Sequence, residues 1–294
     1  MTAETARDAA PPRRKLWLCA DDYGISPAVS GAIRDLIARG RLNATSVMVT
    51  AASFSAAEAA ALANAGRAAV GLHFTLTAPF RPASPGYRPC ARDGAFMSLA
   101  LTFAAGLRRK LDPLALSAEA ESQFAAFHAA FGRPPDFVDG HQHVQLLPQV
   151  SDALIAAMTR LAPGAWIRQC GGVAPLWRRW RDPKGLLLDR LSGRLRARCA
   201  RFGVPTNPAF AGTYDFRRAK DYAALFAAFL TGLPDGGLVM CHPGFVDGEL
   251  RRLDDFTAMR EQEHAFFAGN RFPAMLAASG MELARRADDA TPAR

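Results

Sequence analysis

Half of the 294 residues are hydrophobic, enough to bury one large α/β core, and no repeat of roughly 20–50 residues marks a solenoid. The five cysteines are scattered without a C-x-x-C pair, which excludes a disulfide framework and a zinc ribbon. Most of the net charge of +9 lies between Arg168 and Arg201, where ten basic residues outnumber two acids. One basic segment without a helix-turn-helix signal speaks against nucleic acid as a partner.

The opening MTAETARDAAPPRRK has early acids and prolines and no apolar h-region, so residues 1–14 read as a disordered tail, not a signal peptide. The longest strongly apolar run, AFMSLALTFAAGL, is 13 residues, too short to span a bilayer. A cytoplasmic protein is expected. LWLCA (16–20) is the first strand, and SPAVSGAIRDLIARG is a helix with Ser26 as N-cap, Pro27 in the first turn and Gly40 past its end. ATSVMVT (44–50), a helix closed by Gly66, and AVGLHFTL (69–76) follow. A proline-rich loop from Pro79 to Pro89 leads to helices near 95–110 and 117–132.

DFVDGHQH (136–143) passes from strand to loop, and LPQVSDALIAAMTRL is its helix. AWIRQ (165–169), a basic helix near 184–202, a sixth strand in FAGTYDF, a helix over 218–231 and GLVMCH (237–242) come next. Helices near 255–268 and 272–286 end the chain, apart from a tail over 287–294. The alternation predicts a single α/β domain over 15–286, a (β/α) barrel-like fold of parallel strands and helical crossovers. In such folds the chemistry sits at the carboxyl ends of the strands.

Polar residues gather at those ends. Asp21 and Asp22 close the first strand and His73 lies late in the third. Asp139, His141 and His143 follow the fourth, Arg168 ends WIR, and His242 ends LVMCH. The i, i+2 spacing of His141 and His143 puts both on one face of an extended segment and favours a shared site. His128 and His264 fall within helices and read as exposed or packed. Each residue alone has an ordinary explanation, such as a helix cap. Their convergence on one rim points to a cation site beside a free carboxylate.

ADDYGISPAV, VGLHFTLT, VDGHQHVQLLPQV and CHPGF, in that order, resemble the four motifs of the YdjC/ChbG family of carbohydrate deacetylases. The resemblance implies a barrel-like fold and removal of acetyl groups from N-acetylated amino sugars with a divalent metal, Zn²⁺ or Mg²⁺. It implies Asp22, His73 and His141 as metal ligands, Asp21 as general base and His242 as general acid. Arg168 resembles the family's arginine near the fifth strand end and would orient a carboxylate. The family's histidine-rich motif runs roughly D-S-H-H-H-V-H, whereas DGHQHVQ has Gln142 and Gln145 in place of two histidines. A hopanoid-associated branch of the family acts on a glycosylated lipid, so the substrate implied is a GlcNAc-type sugar on a glycan or a glycolipid.

The residues outside these motifs bear on the rest of the substrate. The 95–107 stretch is either a helix buried on every side or a greasy wall of the site. In the basic helix, Leu187, Leu191, Leu195, Cys199 and Phe202 form one stripe, and Arg190, Arg194, Arg198 and Arg201 another face. With Trp177 and Trp180 upstream, residues 177–202 could make peripheral contact with an anionic membrane, at the inner membrane surface. Two other readings stand beside the deacetylase: a metal-dependent phosphoester hydrolase, and an inactive membrane-surface binding protein. A homo-oligomer is compatible with all three.

Overall fold

A computed structural model describes residues 12–173 and 183–284. Strand β1 (Arg14–Tyr23) lies inside the sheet, is buried from Leu16 onward and carries Asp21 and Asp22 near its end. On one flank follow β2 (Ala44–Val47), β3 (Ala69–Phe74), β4 (Phe137–Gly140) and β5 (Trp166–Ile167). On the other lie β7 (Gly237–Cys241) and then β6 (Phe210–Ala211). All pair in parallel. The two edges meet, since Ile167 N donates to Pro205 O (2.9 Å) and Phe210 N to Gly171 O (3.0 Å). The chain therefore travels once round a barrel-like wall in sequence order.

Helices α1 (Pro27–Ala38), α2 (Ala56–Ala65), α3 (Leu99–Leu107), α4 (Pro113–Phe131) and α5 (Pro148–Leu161) cover the first half. Helices α6 (Pro183–Phe202), α7 (Tyr222–Leu230), α8 (Gly248–Leu253), α9 (Ala258–Ala268) and α10 (Arg271–Ala278) cover the second. Their starts follow local chemistry. Ser26 accepts from Val29 N ahead of Pro27, Asp112 from Leu114 N ahead of Pro113, and Asp221 caps α7.

Several elements depart from the sequence reading. The last helix stops at Ala278, Gly280 turns the chain at φ 64°, and Met281–Leu283 form a further strand, β8, beside the start of β1. Three residues are too few to show a period. Asn43 staples this junction: its side chain accepts from Leu18 N and donates to Leu16 O and Ala284 O, at 2.8, 2.8 and 3.0 Å. Helix α8 was not foreseen; it begins where Asp247 accepts from Leu250 N at 2.8 Å. The sixth strand shrinks to two residues, and β1 begins at Arg14, inside the stretch read as a tail.

Inside the barrel the period-2 alternation stacks two layers. The lower is aromatic: Phe137 lies flat on Trp166 at 4.5 Å between centroids, and Trp17 tilts against Trp166 at 6.1 Å. Two residues further along the same strands, Cys19, Asp139 and Arg168 begin the polar layer. Gly71 of β3 makes room for the aromatic stack, since a Cβ there would sit 2.4–2.6 Å from the Phe137 ring. Gly71→Ala should therefore destabilise the fold by about 1–3 kcal/mol. Combined with Phe137→Leu, which shortens the ring it meets, the loss should be smaller than the sum of the two single losses. Urea unfolding of the three variants measures this, and strict additivity would refute the packing argument.

Candidate active site

The adjacent aspartates separate because the backbone turns between them. Asp22 adopts φ 68°, left-handed for a residue with a Cβ, and the β1–β2 register shifts between Ala20 and Tyr23. Asp21 therefore faces Arg168 while Asp22 faces the histidines. Arg168 is fully buried. It grips Asp21 with both terminal nitrogens, at 2.7 and 2.6 Å, and reaches Asp139 Oδ2 at 2.5 Å. Such a fork fixes orientation as well as charge. Burial alone would raise the Asp21 pKa, but the Arg168 guanidinium outweighs it and holds the carboxyl at about 2.

His73 and Asp139 are register partners on β3 and β4. Asp139 Oδ1 lies 2.6 Å from His73 Nδ1, and Ser46 Oγ is 3.0 Å from the same nitrogen. The ring is thereby oriented with Nε2 toward Asp22, 3.3 Å from its Oδ1. His141 Nδ1 lies 3.1 Å from that same oxygen. Burial would push the His73 pKa down, but Asp139 outweighs it and raises it to about 10. Asp22 is held well below the usual carboxylate range: burial opposes ionisation, and Arg260 and the two histidines overcome it.

These three residues fit a cation. One donor atom each from Asp22, His73 and His141 lies within 4.8 Å of the others. Two ligands of a tetrahedral Zn²⁺ at about 2.0–2.1 Å stand about 3.3 Å apart, close to the 3.1 and 3.3 Å found. One carboxylate and two imidazoles suit Zn²⁺ or a similar metal, and the carboxylate behind His73 is the outer partner that metal-ligating histidines commonly have. The cluster Cys19–Asp21–Asp139 is also compact, but the Arg168 guanidinium already occupies its charge.

The structure thus brings Asp21, Asp22, His73, His141 and His242 around one cavity of about 670 Å³, with Arg168 buried behind Asp21. His143 lines the same cavity but lies outside the cation cluster. The segment after Gly140 is a tight turn, with Gln142 and His143 at φ 55° and 63°, so the two histidines do not share a face. His143 Nδ1 lies 3.6 Å from Cys170 Sγ, and its ring stands edge-on to Phe210. Gln145 is buried, donating to Arg168 O at 3.3 Å, and Gln142 is exposed. Neither glutamine belongs to the cation cluster. His128 is exposed and His264 contacts Asp35 and Phe245, both away from the site.

His242 is half-buried beside the ring of Phe256 at 5.2 Å, and its backbone N donates to Glu263 Oε2 at 2.6 Å. The poorly solvated wall around it pushes its pKa below the usual histidine value, against the pull of Asp22 and Asp21. Burial raises Glu263 to about 7. Glu263 and Arg260, both on α9, were missed in the sequence because a helical Arg or Glu reads as surface charge.

The cavity lining is mixed, with an apolar part beside the charged Arg217, Arg252, Asp254 and Asp255. Leu99 and Phe103 from α3, Leu187 from α6, and Phe216 and Leu253 form that apolar part. Helix α3 is not buried on every side, since Leu99, Leu101 and Leu107 are 40–53% exposed. The 79–89 loop is pinned by Glu119, which accepts from Ala83 N and Ser84 N at 3.0 and 2.8 Å, and it sets Phe80 edge-on to His141 at 5.4 Å.

The profile of the YdjC-like protein family matches residues 15–278. This chain belongs to the YdjC-like family. Among curated proteins it resembles the carbohydrate deacetylase of Homo sapiens, 34% identical over 155 residues, or 50% of this chain and 46% of that one. It also resembles the chitooligosaccharide deacetylase of Yersinia pestis (strain Pestoides F), 36% identical over 143 residues, or 48% and 54% of the two chains. The alignments thus span about half the length of these relatives. Among solved structures, a protein from Enterococcus faecalis V583 superposes with a TM-score of 0.70 at 19% identity, covering 95% of this YdjC-like chain and all of the other. That likeness establishes the fold.

A cation bound at His73 would have to displace a proton, because Asp139 raises the pKa of the imidazole to about 10. Apparent cation affinity should then rise by about tenfold per pH unit between pH 6 and 8. Chelator competition at several pH values measures this; affinity independent of pH would contradict it.

Proposed function

We propose that this protein is a divalent-metal-dependent N-deacetylase of a GlcNAc-type sugar. The observation that carries the reading is the pairing of a cation-competent Asp22–His73–His141 cluster with a second, separately held carboxylate, Asp21. The names of the human and Yersinia relatives support it. The intact cluster speaks against an inactive protein, although Gln142 and Gln145 replace family histidines.

A Zn²⁺ or similar ion held by Asp22, His73 and His141 would supply Lewis acidity and lower the pKa of a water. The protein's own residues do the remaining work. Asp21 accepts the proton of the attacking water. Arg168 keeps Asp21 ionised and aimed, and the resulting pKa of about 2 weakens it as a base, which puts the demand on the acidity of the water. Across the cavity His242 delivers a proton to the leaving amine. Its lowered pKa makes the imidazolium a strong donor while keeping its resting population small. The balance is amide and water to amine and acetate.

The finer substrate reading is a lipid-linked amino sugar, supported by the apolar part of the cavity lining and the exposed leucines of α3. For membrane contact the support is narrower than the sequence suggested. Leu191, Leu195 and Cys199 are each 1% exposed, so the middle of the α6 stripe packs on the core, and only its ends, Leu187 and Phe202, stay exposed beside the arginines. Trp177 and Trp180 lie outside the described residues. No helix among the described residues is long and apolar enough to cross a membrane. Exposed Arg190, Arg194 and Arg201 contribute about 1 kcal/mol each at an anionic surface, screened over about 8 Å at physiological salt. Replacing the three with glutamine should abolish sedimentation with anionic vesicles at low salt without slowing deacetylation of a short soluble sugar. A wild-type protein that ignores such vesicles would remove the membrane from the proposal.

The function itself is tested by a mass-spectrometric screen of acetylated glycans and glycolipids for loss of one acetyl group with release of acetate. Release of phosphate from phosphoesters instead would favour the rival hydrolase. Asp21→Asn should keep the metal yet lose a factor of about 10²–10⁴ in turnover. His73→Ala and His141→Ala should lose metal and activity together. Full activity in Asp21→Asn would assign the base elsewhere.

A further inference from the structure

On the side of Asp22 away from the histidines lies Arg260, fully buried. Its Nη2 donates to Asp22 Oδ2 at 2.6 Å and to Asp254 Oδ2 at 2.7 Å, and its Nε donates to Phe256 O at 2.7 Å. The Phe256 ring packs 5.1 Å from the guanidinium carbon and edge-on to His242. A carboxylate beside a cation can bind through one oxygen or through both. Two-oxygen binding adds a coordination position and suits larger, oxygen-preferring cations such as Ca²⁺, whereas Zn²⁺ is satisfied by few, short bonds. Here Oδ1 faces His73 and His141, and Oδ2 is held by Arg260.

We propose that Arg260 is a positioning residue that confines Asp22 to one-oxygen ligation and so sets which cation the site accepts. This rests on the cation reading of the cluster but adds a role that neither the motifs nor the ligand set contains. Removing Arg260 has two consequences. Oδ2 becomes free to bind, which favours a large, hard cation over Zn²⁺. Asp254 loses its counter-charge, and the extra negative charge near Asp22 raises the affinity for any divalent cation without changing the ratio. Asp254 neutralises the guanidinium in the native site, so Arg260 holds the carboxylate without placing a net positive charge beside the cation.

The test measures Zn²⁺ and Ca²⁺ affinities by chelator competition, together with the visible spectrum of the Co²⁺ form, in wild type, R260K, R260Q and D254N. In R260Q the Zn²⁺/Ca²⁺ affinity ratio should fall about tenfold or more, and the Co²⁺ bands should weaken as coordination number rises. R260K, which still donates to Oδ2, should stay nearer wild type. D254N keeps Arg260 on Asp22, so both affinities should fall together with the ratio within about threefold of wild type. If R260Q fails to fold, D254N and R260K still decide. A D254N ratio shifted toward Ca²⁺, or an R260K ratio collapsed with its Co²⁺ spectrum intact, would overturn the proposal. A folded R260Q with wild-type ratio and spectrum would also overturn it while leaving the deacetylase reading standing. Wild-type protein that takes up no Zn²⁺, Ca²⁺ or Co²⁺ would sink the deacetylase reading, and this inference with it.

Discussion

The guanidinium of Arg168, fully buried between Asp21 and Asp139, is the contact on which the rest of the site depends. Taking three charges out of water is expensive, and only near-ideal geometry with further hydrogen bonds offsets it. That geometry exists because β1, β4 and β5 project these residues to one level of the barrel interior. Asp139 then passes the constraint to His73 through a 2.6 Å contact, and His73 passes it to Asp22. Deleting one partner would leave an uncompensated buried charge, so the site is held as a unit.

The layer beneath explains why such a cluster can persist. Phe137, Trp166 and Trp17 fill the barrel directly under it, so the charges rest on an apolar floor and open only toward the cavity. The low dielectric strengthens each pairing within the cluster, and it equally penalises any group left without a partner. Asp21 and His242 show the two outcomes. Asp21, gripped by Arg168, is driven far toward its ionised form; His242, with no such grip, is driven toward neutrality.

Much of this was legible in the sequence wherever local chemistry decides structure. Helix α1 announced itself through Ser26 and Pro27, and the barrel-like order through the strand–helix alternation. Strand-end positions sufficed to gather Asp21, Asp22, His73, His141, Arg168 and His242 on one rim. Local pattern failed where tertiary contacts decide. The spacing of His141 and His143 suggested an extended segment, but left-handed residues 142 and 143 turn the second histidine toward Cys170. The α6 stripe was correctly read as apolar, yet amphipathicity alone cannot say whether that face meets lipid or core. Arg260 carried no signal, because nothing in a helical TAMREQEH distinguishes a surface arginine from one that reaches 238 residues back to Asp22.

On the proposed reading Asp22, and not its neighbour Asp21, binds the cation together with His73 and His141. Anomalous diffraction from crystals soaked with Zn²⁺ tests it most directly. The expected result is one strong peak about 2.0–2.2 Å from Asp22 Oδ1 and a ring nitrogen of each histidine, with Asp21 still gripped by Arg168 and not bound to the metal. A peak ligated by Asp21, or one elsewhere in the barrel with the Asp22–His73–His141 cluster empty, would contradict it.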